Sequence, residues 1–184
     1  GYSNMKIIKK YFIHFFIVTG IFLFSSMSSA QPLDDATIFA IFDEVNTLDI
    51  WTARLAAKKG HSTEVRKLGR KVATDHEGVQ QLAREIAKKY QIVPTPPDND
   101  QNAQNHAQII ALLQSKSGTD FDKTYLLHES KFHAAAINAV KTTLLPAIKN
   151  KEFKALVNKV APAFVGHLDA TVRLAKKLGY TESN

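Results

Sequence analysis

Residues 64–90 read EVRKLGRKVATDHEGVQQLAREIAKKY, and this stretch has the periodicity of an amphipathic helix. Its apolar side chains recur every three or four positions, at Val65, Leu68, Val72, Val79, Leu82 and Ile86. The same periodicity predicts a further core position between residues 72 and 79, and His76 occupies it. The sequence therefore predicts an ionisable imidazole that points into the core in the middle of a helix.

Three further segments repeat this helical spacing, over residues 35–58, 121–144 and 152–178. The stretch IVPTPPDND, residues 92–100, ends the helix quoted above because its prolines cannot continue a helix. A short polar helix is expected within the following connection, over residues 101–116. No segment alternates between apolar and polar residues with period two. We therefore predict an all-α four-helix bundle with a long second connection that carries a short extra helix.

The N-terminal segment has the layout of a secretory signal peptide. A basic region from Met5 precedes an apolar run over residues 11–24, and small residues follow up to Ala30. We predict that residues 1–30, including the four that precede Met5, are a leader cleaved after Ala30. The mature part, residues 31–184, would then be one periplasmic or secreted domain without a membrane span. An uncleaved anchor is the alternative, although the apolar run is shorter than the ~20 residues that a span needs.

The composition excludes several functional classes. The net charge of +7 includes three leader lysines, and the remaining basic residues form no cluster that would indicate nucleic-acid binding. The chain has no Cys, which excludes thiolate metal sites and Cys nucleophiles. It also lacks a Gly-rich phosphate loop and a Ser-His-Asp arrangement. No catalytic residue can be assigned, and metal-dependent redox chemistry is the reaction class left open.

Each long helix brings a metal-capable side chain to its core face. Asp49 follows the core residue Leu48 in the first helix, and His76 lies in the second. Glu129 and His133 share one face of the third helix because they are four residues apart. His167 interrupts the apolar seam of the fourth helix.

The depths of these side chains in the bundle also agree. His133 lies 17 residues before the turn at Asn150, and His167 lies 17 residues after it. Asp49 and His76 differ in their distance from the turn near Gly60 by roughly 7 Å, which helix tilt and side-chain reach can absorb. We therefore expect the histidine ring nitrogens to converge in the middle of the bundle, where helical bundles build metal sites.

Two interpretations of this cluster compete. In the first, His76, His133, His167 and Glu129, supported by Asp49, bind a single ion of Zn, Cu, Mn or Fe. In the second, the same side chains form a structural hydrogen-bond network, for example from Glu129 to His76 or His167, in a non-catalytic module that binds a protein partner or an envelope component. Self-association is compatible with either.

The remaining conspicuous side chains are given ordinary structural roles. His61, His106 and His128 are predicted to lie at the surface. The two acids that flank His76, Asp75 and Glu77, are predicted to be solvated because they face away from the apolar stripe. Trp51 is predicted to belong to the core.

Three segments resemble a known bacterial exported family, number 4142 in the series of domains of unknown function, often labelled an outer-membrane protein. The segments are LAAKKGHSTEVRKLGRKVATDHEGVQQLAREIAKKY, FDKTYLLHESKFH and APAFVGHLDATVRLAKKL. The matching motif residues are Asp75, His76, Phe121, Asp122, Tyr125, His133, Pro162 and His167. The resemblance covers about residues 35–178 and implies a ferritin-like fold, without implying an activity.

Two departures narrow what the resemblance implies. The family usually has Glu at the position of Asp49, so the ligand offered here is one methylene shorter. The Glu-x-x-His signature of di-iron bundles is absent, because Ala73, Ser130 and Phe164 stand three residues before the three inward histidines. A single metal ion is therefore expected rather than an iron-storage centre.

Overall fold

The computed structural model describes residues 33–98 and 100–180, so the predicted signal peptide lies outside the described residues. All regular structure in the described part of the chain is helical, which confirms the predicted all-α class. The elements are α1 (Asp35–Lys59), α2 (Thr63–Lys89), α3 (Asn102–Ser115), α4 (Gly118–Ala139), a π-helical segment (Val140–Leu144), α5 (Leu145–Ala147) and α6 (Lys151–Lys177). The short helix expected in the long connection is α3.

The long helices form two antiparallel hairpins, with α1 packed along α2 and α4 packed along α6, and the hairpins meet through α2 with α6 and α1 with α4. Two aspartates fix the directions. The Asp122 carboxylate accepts hydrogen bonds from the backbone N–H groups of residues 61–62, at 2.7 and 2.8 Å. Asp35 accepts from those of residues 149–150, at 2.8 and 2.7 Å. Helix α4 therefore begins at the same end as α2, and α6 begins at the same end as α1.

Helices α1 and α2 approach each other closely at Gly69. A Cβ atom at this position would lie 2.6 Å from both the Ala53 carbonyl oxygen and the Ala57 backbone nitrogen, so only glycine fits without displacing a backbone. The close contact draws together the middle parts of the two helices, where Asp49 and His76 lie.

The core consists of two apolar clusters with a polar layer between them. The first cluster includes Phe39, Phe42, Val79, Ile86, Val140, Phe153 and Phe164. The second includes Ala53, Val65, Val72, Phe121, Tyr125, Leu126 and Ala175. Along each long helix, a buried polar group separates the members of one cluster from those of the other. These groups are Asp49, His76, Glu129, His133 and His167.

Two side chains predicted to be in the core are exposed instead. Trp51 is 58% exposed and makes an edge contact with His106 from α3, with ring centroids 6.4 Å apart. Leu82 is 48% exposed because six residues past His76 correspond to about 120° around the helix, away from the neighbouring helices. Within residues 33–98 and 100–180, no helix is both long enough and apolar enough to cross a membrane.

Candidate metal centre

Three histidines from three helices meet in the polar layer. His76 of α2, His133 of α4 and His167 of α6 are each no more than 3% exposed. Their ring centroids are 5.3 to 5.5 Å apart, which makes a nearly equilateral triangle. One ring nitrogen from each lies within 4.8 Å of the other two. The rings therefore converge as their helical positions predict, while their role as metal ligands stays a prediction.

Two buried carboxylates extend this cluster and share His133 with it. Asp49, Glu129 and His133 form a second group whose potential ligand atoms also lie within 4.8 Å of one another. The Nε2 atom of His133 lies 3.5 Å from Asp49 Oδ2, and its Nδ1 atom lies 3.0 Å from Glu129 Oε1. Because His133 belongs to both groups, all five predicted residues surround one region of the core.

Neighbouring polar groups fix the orientation of His76. Its Nδ1–H donates to Asn46 Oδ1 at 2.8 Å, and the Asn46 amide in turn donates to the Phe42 carbonyl at 2.7 Å. The other ring nitrogen, Nε2, lies 2.7 Å from Asp49 Oδ2. The Nδ1 side of the imidazole therefore faces Asn46, and Nε2 faces the cluster.

Asp75 holds His167 in a similar way, so the prediction that Asp75 is solvated and faces elsewhere was wrong. Its half-buried carboxylate accepts a hydrogen bond from His167 Nε2 at 2.7 Å and pairs with Lys71 at 2.8 Å. This contact leaves the buried Nδ1 atom of His167 for the cluster. A carboxylate that orients a histidine through its second nitrogen is a common support for metal ligands.

The cluster contains an unusual number of buried polar atoms without an aligned hydrogen bond. Within the described residues these are both oxygens of Asp49 and Glu129, both ring nitrogens of His133, Nε2 of His76, Nδ1 of His167 and the Tyr125 hydroxyl. Several of them lie close together, for example His76 Nε2 at 2.7 Å from Asp49 Oδ2 and His133 Nδ1 at 3.0 Å from Glu129 Oε1. Buried polar groups in proteins are normally satisfied, so a cluster of buried polar atoms without aligned hydrogen bonds is a candidate ligand site.

These donor atoms fit a metal ion. Zinc binds imidazole nitrogen and carboxylate oxygen at about 2.0–2.2 Å. A triangle of nitrogens 4.8 Å or less apart needs to contract by less than about 1 Å to reach those distances. Three imidazoles with two carboxylates suit Zn, Cu, Mn or Fe, whereas Ca²⁺ and Mg²⁺ prefer oxygen ligands alone.

Without a metal, the cluster balances its own charge. Burial would raise the pKa of Asp49, but the adjacent imidazoles of His76 and His133 outweigh it and hold the pKa at about 2. Burial, reinforced by the charge of Asp49, raises the pKa of Glu129 to about 8. Burial would lower the pKa of His133, but the two carboxylates raise it to about 9. At neutral pH, Asp49 is therefore ionised, while Glu129 and His133 carry protons.

Sequence reasoning missed three members of the site. Asn46 lies three residues before Asp49 on the same face of α1, and Tyr125 lies four residues before Glu129, so helical spacing could have found both. The buried hydroxyl of Tyr125 has a pKa well above its usual value because of burial and the negative charges of Glu129 and Asp49. Helical spacing could not have found Asp75, because its contact with His167 depends on how α6 packs against α2.

The other histidines among the described residues, His61, His106 and His128, lie outside both groups. His61 is exposed as predicted, but His106 and His128 are half-buried rather than at the surface. Burial lowers the pKa of His128 to about 4. The predicted alternative pairing of Glu129 with His76 or His167 is also not observed, because Glu129 lies against His133 on its own helix.

Residues 24–174 match the model of a protein family described as "Domain of unknown function (DUF4142)". The chain belongs to this family. The match spans the whole of α1 to α5 and most of α6, so the DUF4142 region contains every residue of the cluster. No curated protein and no solved structure matches the chain.

Proposed function

We propose that this protein is an exported metal-binding bundle of ferritin-like topology that holds one transition-metal ion between its helical hairpins. The ligands would be His76, His133, His167, Glu129 and Asp49. The observation that carries the proposal is the set of buried donor atoms without aligned hydrogen bonds that all four long helices bring to one region of the core. An apolar core of the same volume would be simpler to build, since buried charges are costly even when they are paired.

Export rests on the N-terminal pattern. A leader cleaved after Ala30 would deliver the domain to the periplasm or the exterior. N-terminal sequencing of the exported protein should then begin at Gln31. A mature chain that retains the apolar run over residues 11–24 would instead indicate an anchor.

Metal content tests the proposed function directly. Untagged protein purified from the periplasm should carry close to one transition-metal ion per chain in elemental analysis. After chelation, calorimetric titration with Zn²⁺ at pH 7.5 should give a single binding event of about one ion per chain, with protons released because Glu129 and His133 must give them up. Absence of metal from the purified protein, together with a flat titration by Zn, Cu, Mn and Fe(II), would favour the purely structural network.

Asp75 should matter for metal affinity without being a ligand. Asp75→Ala removes the acceptor that orients His167, so the Kd for Zn²⁺ should rise about 10- to 100-fold, the usual effect of removing such a support. The measurement is competition titration against a chromophoric chelator. Glu77→Ala is the matched control, because Glu77 lies on the same helix and its carboxylate pairs with Arg54 near the surface, away from His167. Equal Kd values for the two variants would show that His167 needs no orienting carboxylate.

A further inference from the structure

A small cavity adjoins the candidate metal centre on the side of the first apolar cluster. His76 and His133 form its polar end, and Asn46 lies beside them. The rest of the wall is apolar and comes from three long helices and the π-helical segment. The apolar lining includes Phe42, Val45, Ala136, Val140, Leu144 and Phe164.

The surface that faces this cavity is almost entirely apolar, so it offers little to hold water. Both ends of the Asn46 side-chain amide are engaged, one by His76 and the other by the Phe42 carbonyl. A buried water needs two to four polar partners, and an apolar cavity without them stays dry. The occupant favoured by this wall is therefore an uncharged, apolar molecule.

The size of the cavity limits the occupant further. Its volume of about 30 Å³ is roughly twice what one water molecule requires. A molecule of two or three heavy atoms fits, whereas an organic substrate with a ring does not. The π-helical segment shapes one wall through Val140 and Leu144, and such local widening of a helix is frequent at functional sites.

We propose that this cavity binds an uncharged, apolar molecule of diatomic size and presents it to the metal centre. The binding part stands on the shape and lining of the cavity alone. The presentation part rests on the proposed function, because it requires a metal ion bound to His76 and His133. Such a pocket would admit small, uncharged molecules to the metal centre and would exclude anions and larger substrates.

Xenon is the probe, because it is apolar, comparable in size and known to enter dry protein cavities. In metal-free protein under xenon pressure, the methyl NMR signals of Val140 and Leu144 should shift in a saturable way. Ala136→Leu should abolish the shifts by filling the cavity. Ala134→Leu, on the exposed side of the same helix, should leave them unchanged. Shifts that are absent in the wild type, or that persist unchanged in Ala136→Leu, would overturn the proposal.

A second measurement separates this proposal from the proposed function. The bound ¹²⁹Xe should relax several-fold faster in protein loaded with paramagnetic Co²⁺ than in protein loaded with Zn²⁺, because the cavity ends at two of the ligands. Saturable xenon binding with no Co²⁺ uptake would refute the metal centre and the presentation step, but would support the pocket. Co²⁺ uptake with equal relaxation in both samples would support the metal site and refute the presentation step.

Discussion

His133→Ala should abolish the thermal stabilisation that zinc gives to the wild-type protein. A ligand at 100 times its Kd stabilises the folded state by about 2.7 kcal/mol, which for a domain of this size raises Tm by roughly 5–10 °C. His133 belongs to both ligand groups, so its removal leaves neither group complete. Differential scanning calorimetry of chelator-treated protein at pH 7.5, with and without Zn²⁺, measures the effect.

Two further variants make this result interpretable. His133→Ala also removes buried volume, so the metal-free Tm should fall, whereas His133→Gln keeps more of the side chain and should lose the zinc response with a smaller loss of baseline stability. His106→Ala is the control for unspecific binding by histidines, because His106 is half-buried outside both groups. A full zinc response in His133→Gln would contradict the proposed ligand set.

Glu129→Gln should make metal-free protein more stable than the wild type at pH 8, while it weakens metal binding. The folded pKa of Glu129 is about 8, above its value of 4.5 in the unfolded chain, so the folded state holds a proton that the unfolded state loses in this range. The free energy of unfolding of the wild type therefore falls as pH rises from about 4.5 to 8. Glutamine has the shape of the protonated acid and does not titrate.

The two proteins should therefore have similar unfolding free energies near pH 5 and diverge as the pH rises. The folded pKa of His133, about 9 against 6.5 in the unfolded chain, adds a further loss of wild-type stability as pH rises from about 6.5 to 9. Glu129→Gln should lose less stability than the wild type in this pH range as well, because the charge of Glu129 helps to raise the pKa of His133. Urea unfolding of metal-free samples at pH 5 and 8 tests this, with Glu77→Gln as a surface control. Parallel pH profiles would show that Glu129 is ionised throughout.

Helical periodicity predicted most of the site because it depends only on local geometry. The spacing of apolar residues put His76, His133 and His167 on core faces, and counting from the turns put them at one depth. The offset of roughly 7 Å expected between Asp49 and His76 is absorbed, since their nearest atoms lie 2.7 Å apart. The close helix contact at Gly69 helps to make this possible.

The remaining features depend on tertiary packing, which one helix pattern does not contain. Asp75 lies next to a core position but off the apolar stripe, and only the neighbouring helix α6 turns it into the partner of His167. Trp51 has the character of a core residue, yet it lies 58% exposed beside His106 of α3. The relative directions of α2 and α4 are likewise determined by tertiary contacts. In these contacts, Asp122 and Asp35 each bind the turn of the opposite hairpin.

Those two aspartate contacts reveal an approximate internal twofold symmetry. Asp35 of α1 binds the turn before α6, and Asp122 of α4 binds the turn before α2. Each hairpin also supplies a carboxylate from its first helix and a histidine from its second helix. The match lies in order and chemistry rather than in residue spacing. Under this symmetry Asp49 corresponds to Glu129, and the position four residues later is the buried Ala53 in one hairpin and His133 in the other. The centre therefore contains four donor residues related by the approximate twofold symmetry, and His133 is a fifth that has no counterpart in the other hairpin.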